Sequence, residues 1–386
     1  MPDSLSRLVV SPSAIYALAF AMAVTFALTP VAMRAAWRLG VVDRPGGRRI
    51  HDRPIPLLGG VAIALGILVA VVPNLDLDRR YESILIGAGL ICLLGAVDDR
   101  FGIPPLPKLL GQIVCAAIPV ATGMTIDAVT IPLIEPSTVA FGVLAYPLTI
   151  VFIVAVANIV NLADGMDGLA AGVCAISAIT FAVLALSLGR ISAAVLAAAI
   201  AGACLGFLPW NFNPARVFMG DSGALVLGFL LAAVSVQGVM KTAAALSLVF
   251  PMVVLMVPIL DTAFVILRRL KHGQPISGAD RSHFHHRLLR LGYSQRQAVL
   301  LLYLWSGVLA AFALAIRLFP YRTQGAWNLW PTIGLTGFAV GALGVTIYIL
   351  LALALIKHRH LRRLGLLRGT AAADDDPVRP PSPRRR

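Results

Sequence analysis

Four amide and carboxylate side chains recur at a fixed spacing in one short segment of an otherwise apolar sequence. The segment NIVNLADGMDGLAAG places Asn158, Asn161, Asp164 and Asp167 three residues apart. Neighbours at this spacing lie close together on a helix end or a turn. Polar groups crowded at the edge of an apolar helix are expensive to bury unless they are paired, so the segment predicts a functional site.

A second pair of acids, Asp98 and Asp99, stands in AVDDRFG at the end of another apolar run. Hard oxygen ligands at this density suit Mg²⁺, which takes few protein carboxylates and fills its shell with water and phosphate oxygens. A hydrated helix end would account for two adjacent aspartates equally well. Lys108 and Gln112 follow at helical spacing, so Lys108 could reach back toward the same acids. The alternative is an interfacial lysine whose ammonium extends to the membrane surface.

Asp221 lies in FMGDSG, at the predicted start of a further helix. An aspartate there could be the helix N-cap, which is the simpler interpretation of the position taken alone. The alternative is a metal ligand held by a rigid helix start. Asp261 lies within an apolar run, close to Arg268 and Arg269, and pairing with a basic residue would explain it.

Two basic loops could bind anions, because arginine offers forked donors that match phosphate and glycine lets backbone N–H groups approach it. The first loop, VDRPGGRRIHDRPIPLLGG, contributes the candidates Asp43, Arg48 and His51. A basic loop that only sets membrane topology is the alternative. The second loop, DRSHFHHRLLRLG, contributes Arg281, His283, His285 and His286. Zn²⁺ binding is disfavoured because the nearby sequence has no cysteine, and phosphate or nucleotide contact fits the histidines better.

The composition is that of a membrane protein. Hydrophobic residues make up 59% of the chain and charged residues 13%, with a mean hydropathy of +0.87, whereas soluble domains carry about 25% charged residues. Continuous apolar runs favour an all-α fold, a polytopic integral membrane bundle of about 11 transmembrane helices. The predicted spans are 12–33, 57–74, 83–97, 106–124, 138–159, 168–188, 192–209, 222–240, 243–267, 298–318 and 333–356. The four cysteines all fall inside these spans and are predicted to be packing residues.

The basic residues predict the orientation of the bundle. Loops after odd-numbered spans and the C-terminal segment hold 25 of the 32 Lys and Arg, with Lys108 counted among them. Because cytoplasmic loops carry the excess of basic residues, the N-terminus is predicted to lie outside a bacterial inner membrane and the C-terminus inside. The polar clusters then share the cytoplasmic face, which favours an enzyme over a cation-coupled transporter or lipid flippase. Residues 1–356 form one predicted catalytic domain, and 357–386 form a basic, disordered cytoplasmic tail.

Five motifs in order resemble those of the polyprenyl-phosphate N-acetylhexosamine-1-phosphate transferase family. They are VDRPGGRRIHDRPIPLLGG, DDRFG with KLLGQ, NIVNLADGMDGLA, FMGDSG and DRSHFHH, and they span roughly residues 40–292. The resemblance implies a helical bundle with a cytoplasm-facing cleft and a lipid groove. It also implies Mg²⁺-dependent catalysis, with Mn²⁺ as a possible substitute. The catalytic acids that it implies are Asp98, Asp99, Asp164 and Asp167, and the metal ligands are Asp221, Asp164 and Asp98.

The same resemblance implies the substrates. Lys108, Gln112, Asn158, Asn161 and the candidates in the two basic loops match substrate-binding positions. The GlcNAc branch is favoured over the muramoyl-pentapeptide branch, because Phe284 separates His283 from His285 and because the first loop ends in PIPLLGG. The implied reaction moves N-acetylglucosamine 1-phosphate from UDP-GlcNAc to a polyprenyl phosphate in the bilayer. Another N-acetylhexosamine stays open as the sugar, a homodimer stays open as the assembly, and no nucleic acid is involved.

Overall fold

A computed structural model describes residues 12–44, 53–75, 78–130, 138–240, 253–271, 284–319, 322–323 and 326–352. Twelve α-helices lie within these residues. They are α1 Pro12–Leu39, α2 Gly59–Val71, α3 Arg79–Phe101, α4 Pro105–Ala121, α5 Ala145–Ala163, α6 Leu169–Ser187, α7 Ile191–Asn211, α8 Gly220–Val234, α9 Met256–Lys271, α10 Phe284–Arg290, α11 Gln295–Leu318 and α12 Leu329–Ala352. A 3₁₀ turn, Gly142–Leu144, precedes α5, and a π-helical segment, Ser235–Met240, follows α8.

Three antiparallel hairpins of short strands connect some of the helices. They are formed by β1 Val42–Asp43 with β2 Ile55–Pro56, β3 Ala128–Thr130 with β4 Thr138–Ala140, and β5 Arg322–Thr323 with β6 Ala326–Trp327. In the first hairpin Asp43 pairs with Ile55. The hairpins contribute little regular structure, and the chain is an all-α, polytopic membrane protein, as predicted.

Each predicted span overlaps one of the eleven longer helices, and residues 243–252 of the ninth span and 353–356 of the eleventh lie outside the described residues. Seven of the helical stretches are long and apolar enough to cross a membrane: Pro12–Leu39, Gly142–Ala163, Leu169–Ser187, Ile191–Asn211, Gly220–Gly238, Gln295–Leu318 and Leu329–Leu351. Of the other four, α2, α4 and part of α9 are shorter apolar helices, and α3 carries acids near its C-terminal end. The membrane crossing of these four stays a prediction.

Helix α8 forms the centre of the bundle. Its residues from Ser222 to Val234 are all buried, and it packs against α3, α5 and α2. Helix α7 packs along α1 at very close range, because a side chain at Gly202 or Gly206 would meet the backbone carbonyls of α1. Small residues at such contacts are how membrane helices approach one another without a hydrophobic driving force.

The N-terminus of α8 is fixed by backbone contacts with the start of α2 and the residues just before it. Phe218 donates its N–H to the carbonyl of Pro56 over 2.9 Å, and Gly60 donates to the carbonyl of Met219 over 2.9 Å. Gly95 of α3 faces the same turn, where a Cβ would lie 2.5 Å from the Cα of Ser222. The glycines of the PIPLLGG motif therefore pack against FMGDSG, an association that the sequence did not reveal.

We expect Gly95→Ala to damage the protein far more than Gly89→Ala in the same helix. The added methyl group at residue 95 would push into the backbone of α8, and overpacking of this kind costs about 1–3 kcal/mol. A Cβ at Gly89 meets nothing within 4 Å, so that variant should be neutral or gain about 0.4–1 kcal/mol. Thermal unfolding in detergent measures both variants, and equal melting temperatures would contradict the close packing at Gly95.

The four cysteines are buried and unpaired, which confirms their prediction as packing residues. Several predicted positions lie outside the described residues: Arg48, His51, Arg281, His283 and the segment 353–386. His285 and His286 lie on α10, whose backbone is described there. The division into a catalytic domain and a tail stays a prediction.

Candidate active site

Three helices bring two carboxylates and one ammonium into direct contact. Asp98 lies in the last turn of α3, Lys108 in the first turn of α4 and Asp221 in the first turn of α8. Lys108 Nζ lies 2.7 Å from Asp98 Oδ2 and also contacts Asp221 Oδ2. The ammonium therefore points into the acid cluster, and the interpretation of Lys108 as an interfacial lysine was wrong. Its prediction as a residue that reaches the acids of α3 is confirmed.

Asp99 holds the start of α8 through both carboxylate oxygens. Oδ1 accepts the N–H of Asp221 over 2.7 Å, and Oδ2 accepts the N–H of Ser222 over 3.1 Å. The orphan N–H groups of a helix start are thus satisfied from a different helix. Asp221 does not cap α8, whose N-cap is Met219. The N-cap interpretation of Asp221 was wrong because Asp99 supplies the acceptors, which leaves the Asp221 side chain free to face the cluster.

The end of α5 supplies the next two members of the cluster. Asn161 Nδ2 donates to Asp221 Oδ1 over 2.8 Å, and Asp164 follows directly after the helix as its C-cap residue. Burial raises the pKa of Asp164 to about 8, helped by the negative charges of Asp221, Asp99 and Asp167. The raised pKa reflects the crowding of several carboxyl groups near a single ammonium, and a bound cation would favour the charged form of Asp164.

Gln112 and Asn158 form an amide pair beside this cluster. Asn158 Nδ2 donates to Gln112 Oε1 over 2.5 Å, and Gln112 Nε2 donates to Asn158 Oδ1 over 3.3 Å. Gln112 is only 1% exposed. The pair joins α4 to α5 and fixes the relative positions of Lys108 and Asn161, each of which lies on one of these helices. Substrate contact by Gln112 and Asn158 stays a prediction.

Asp167 connects two loops. Its Oδ2 accepts from Asn213 Nδ2 over 2.9 Å and from the N–H of Ala215 over 3.0 Å. Asn211, buried at the end of α7, joins the same loops: its Oδ1 accepts the N–H of Gly168 over 3.0 Å, and its Nδ2 donates to the carbonyl of Val217 over 2.9 Å. The loop that carries Asp164 and the loop that leads to Asp221 are therefore held together by side chains.

Sequence reasoning missed Asn211, Asn213 and Tyr303, whose hydroxyl donates to the carbonyl of Gly168. Asn211 and Asn213 stand just ahead of the FMGDSG motif, in NFNPARVFMGDSG, where amides at the end of an apolar helix could have been recognised. Tyr303 lies on α11, 135 residues away from Gly168 in sequence, and no local pattern identifies it.

The first basic loop approaches the same region. Arg53 Nη2 lies 3.3 Å from the carbonyl of Ala215, to which it donates, and Asp43 lies on β1.

The Asp261 carboxylate on α9 accepts the N–H of Phe284 at the start of α10. Pairing of Asp261 with a basic residue stays a prediction. An apolar cavity is lined by residues of α5, α6, α9, α10 and α11, among them Val160, Leu169 and Asp261.

The donor atoms of the cluster fit a hard divalent cation. Aspartate oxygens, such as those of Asp98 and Asp221, are the ligands that Mg²⁺ prefers. Within the described part of the chain, no group of three or more His, Cys, Asp or Glu side chains is arranged so that it could hold a metal ion. The Lys108 ammonium instead occupies the space between the two nearest carboxylates.

Comparison with known proteins identifies a family that this chain matches. The model of glycosyl transferase family 4 matches residues 81–239. A probable undecaprenyl-phosphate N-acetylglucosaminyl 1-phosphate transferase of Bacillus subtilis is 40% identical over 75% of this chain and 81% of the relative. A decaprenyl-phosphate N-acetylglucosaminephosphotransferase of Mycobacterium leprae is 36% identical over 82% and 86%. An undecaprenyl-phosphate alpha-N-acetylglucosaminyl 1-phosphate transferase of Yersinia pestis is 28% identical over 84% and 94%.

The matched residues 81–239 contain Asp98, Asp99, Lys108, Asn161 and Asp221, so the contacts that build the cluster lie inside the region that the family shares. The predicted resemblance is confirmed, and this chain belongs to glycosyl transferase family 4.

Proposed function

We propose that this protein transfers N-acetylglucosamine 1-phosphate from UDP-GlcNAc to a polyprenyl phosphate, giving polyprenyl diphosphate-GlcNAc and UMP. The observation that carries the proposal is the contact of Lys108 with Asp98 and Asp221 in an acid cluster at helix ends. The names of the similar proteins from three bacterial genera, each a transferase of N-acetylglucosamine phosphate to a polyprenyl phosphate, support the substrate class.

The reaction joins two anions, so its main requirement is neutralisation of charge. A phosphate oxygen of the lipid attacks the β-phosphorus of the nucleotide sugar, and the bond from that phosphorus to the bridging oxygen breaks as UMP leaves. Lys108 provides an ammonium that can screen the phosphates, and Asn161 fixes the orientation of Asp221. Asp221 and Asp98, which share the Lys108 ammonium, would hold Mg²⁺, with Asp164 as the third predicted ligand. The bound ion would supply Lewis-acid stabilisation of the diphosphate.

The acceptor needs little help to ionise. A phosphate monoester has a second pKa near 6, so it is mostly dianionic at neutral pH. A general base is therefore helpful but not obligatory, and a direct single displacement is favoured over a phospho-enzyme. Asp98 is the candidate base, with covalent nucleophile as its alternative role. The apolar cavity lined by Val160, Leu169 and Phe284 supports an acceptor that carries a hydrocarbon chain.

Purified protein with radiolabelled UDP-GlcNAc, polyprenyl phosphate and Mg²⁺ tests the function directly. We expect labelled lipid and free UMP, loss of both with EDTA, and recovery with Mg²⁺ or Mn²⁺. Product formed only from UDP-N-acetylmuramoyl-pentapeptide would move the protein to the other branch. Lipid translocation without UMP release would contradict an enzyme, and recovery by Zn²⁺ alone would contradict a hard-metal site.

We propose that the N-terminus is periplasmic and the C-terminus cytoplasmic, in a bacterial inner membrane. A reporter active only in the cytoplasm should work when it is fused after Ala371 and fail when it is inserted at Gly189, between α6 and α7, because these sites are predicted on opposite sides. The reverse pattern would separate the acid cluster from cytoplasmic nucleotide sugar and would overturn the orientation.

A further inference from the structure

The Lys108 ammonium occupies the place that a bridging cation would take between Asp98 and Asp221. Lys108 Nζ contacts Oδ2 of both residues, at 2.7 Å from Asp98. The Lys108 side chain is 17% exposed, so it lies inside the cluster and not in bulk solvent. The single positive charge of Lys108 is therefore shared by the carboxylates of Asp98 and Asp221.

The other oxygens of these acids are held by groups that cannot easily leave. Asp98 Oδ1 accepts the N–H of Ile103 over 2.5 Å, and Asp221 Oδ1 accepts from Asn161 over 2.8 Å. Both oxygens of Asp99 accept backbone N–H groups of α8. Oδ2 of Asp98 and Oδ2 of Asp221 are instead bound by the Lys108 ammonium. That ammonium is attached through a flexible four-carbon side chain, so it can move away from both oxygens.

We propose that Lys108 is an exchangeable counter-ion, which holds Asp98 and Asp221 together in the free protein and is displaced when a divalent cation binds there. The proposal rests on the metal dependence of the proposed function. Two cations cannot share the same pair of oxygens, because like charges a few ångströms apart repel strongly at the edge of an apolar bundle. The displaced ammonium remains tethered beside the site and becomes available to an incoming phosphate.

Exchange predicts that removing the Lys108 ammonium raises the Mn²⁺ affinity of the protein. A lysine that only supported the metal site would lower that affinity when removed. If Lys108 competes with the metal, Lys108→Met should bind Mn²⁺ more tightly than wild type in the absence of substrate, by about tenfold or more. Electron paramagnetic resonance of free Mn²⁺ measures the affinity without any turnover. Arg100→Gln, in the same last turn of α3 as Asp98, is the matched control. The Arg100 guanidinium lies over the Phe101 ring at 5.4 Å, so its loss should change Mn²⁺ affinity less than about twofold. Unchanged or weaker Mn²⁺ binding by a folded Lys108→Met would overturn the proposal.

Wild-type protein provides a second test that needs no substitution at Lys108. The chain has four lysines, at positions 108, 241, 271 and 357, so mass spectrometry can follow acetylation of each one. Mg²⁺ should increase the labelling rate of Lys108 several-fold over an equal ionic strength of NaCl, while the ratio among the other three stays constant. Protection of Lys108 by Mg²⁺, or no change, would contradict displacement.

Asp221→Asn separates failure of this inference from failure of the metal site itself. If Asp221→Asn binds Mn²⁺ as wild type does, the proposed metal site is wrong and the exchange falls with it. If Asp221→Asn loses Mn²⁺ but Lys108→Met does not bind it more tightly, the metal site stands and only the exchange is wrong.

Discussion

Asp221→Asn should abolish turnover at every pH, with a loss of about 10³-fold or more, the size expected when a principal charge-stabilising group is removed. The substitution removes the carboxylate that forms the ion pair with Lys108 and accepts the hydrogen bond from Asn161. It leaves the backbone N–H that Asp99 accepts, so the start of α8 should keep its position. The measurement is product formation from labelled UDP-GlcNAc across a Mg²⁺ series, together with Mn²⁺ binding.

Asp78→Asn is the matched control for the loss of one carboxylate charge. Asp78 is the N-cap of α3 and accepts from the N–H groups of Arg80 and Tyr81, at the other end of the helix that carries Asp98. Asparagine is an equally good N-cap, so this variant should retain activity and stability. Measurable turnover by Asp221→Asn with an unchanged Mg²⁺ requirement would remove Asp221 from the metal site.

Asp98→Asn should lower turnover by about 10²–10⁴-fold if Asp98 is a proton acceptor. Raising the pH should recover only the small part of this loss that comes from acceptor phosphate still protonated at neutral pH. In the structure both Asp98 oxygens are engaged, by Ile103 N–H and by Lys108. Asp98 can therefore act on the acceptor only after Lys108 releases Oδ2. The pH dependence of kcat in wild type and variant is the measurement.

A covalent role for Asp98 has a different signature. Wild-type protein given UDP-GlcNAc without lipid should then release UMP and retain labelled phospho-sugar, and no pH should rescue Asp98→Asn. Trapping of that adduct on Asp98 would contradict the base hypothesis. Residual activity of Asp98→Asn with the wild-type pH profile would instead assign Asp98 to metal binding or positioning.

The helices and most members of the acid cluster could be predicted from the sequence, because hydropathy determines spans and a polar residue in an apolar run is conspicuous. The partners of these residues could not. Asp98, Asp99 and Asp221 are all acidic residues at helix ends, yet Asp99 binds backbone while the other two share Lys108. That difference depends on how α3 and α8 cross, which is set by close contacts such as Gly95 against Ser222.

The complete burial of α8 has a consequence for how the protein is made. A helix that leaves the insertion machinery first meets lipid, and only afterwards packs against other helices. Helix α8 ends among α2, α3 and α5, with every residue from Ser222 to Val234 buried. It must therefore exchange all of its lipid neighbours for protein after its partners are in place. Asp221, in the first turn of α8, must move with the helix. The Lys108 ammonium on α4, which is inserted earlier, can pair with the Asp221 carboxylate once α8 packs into the bundle.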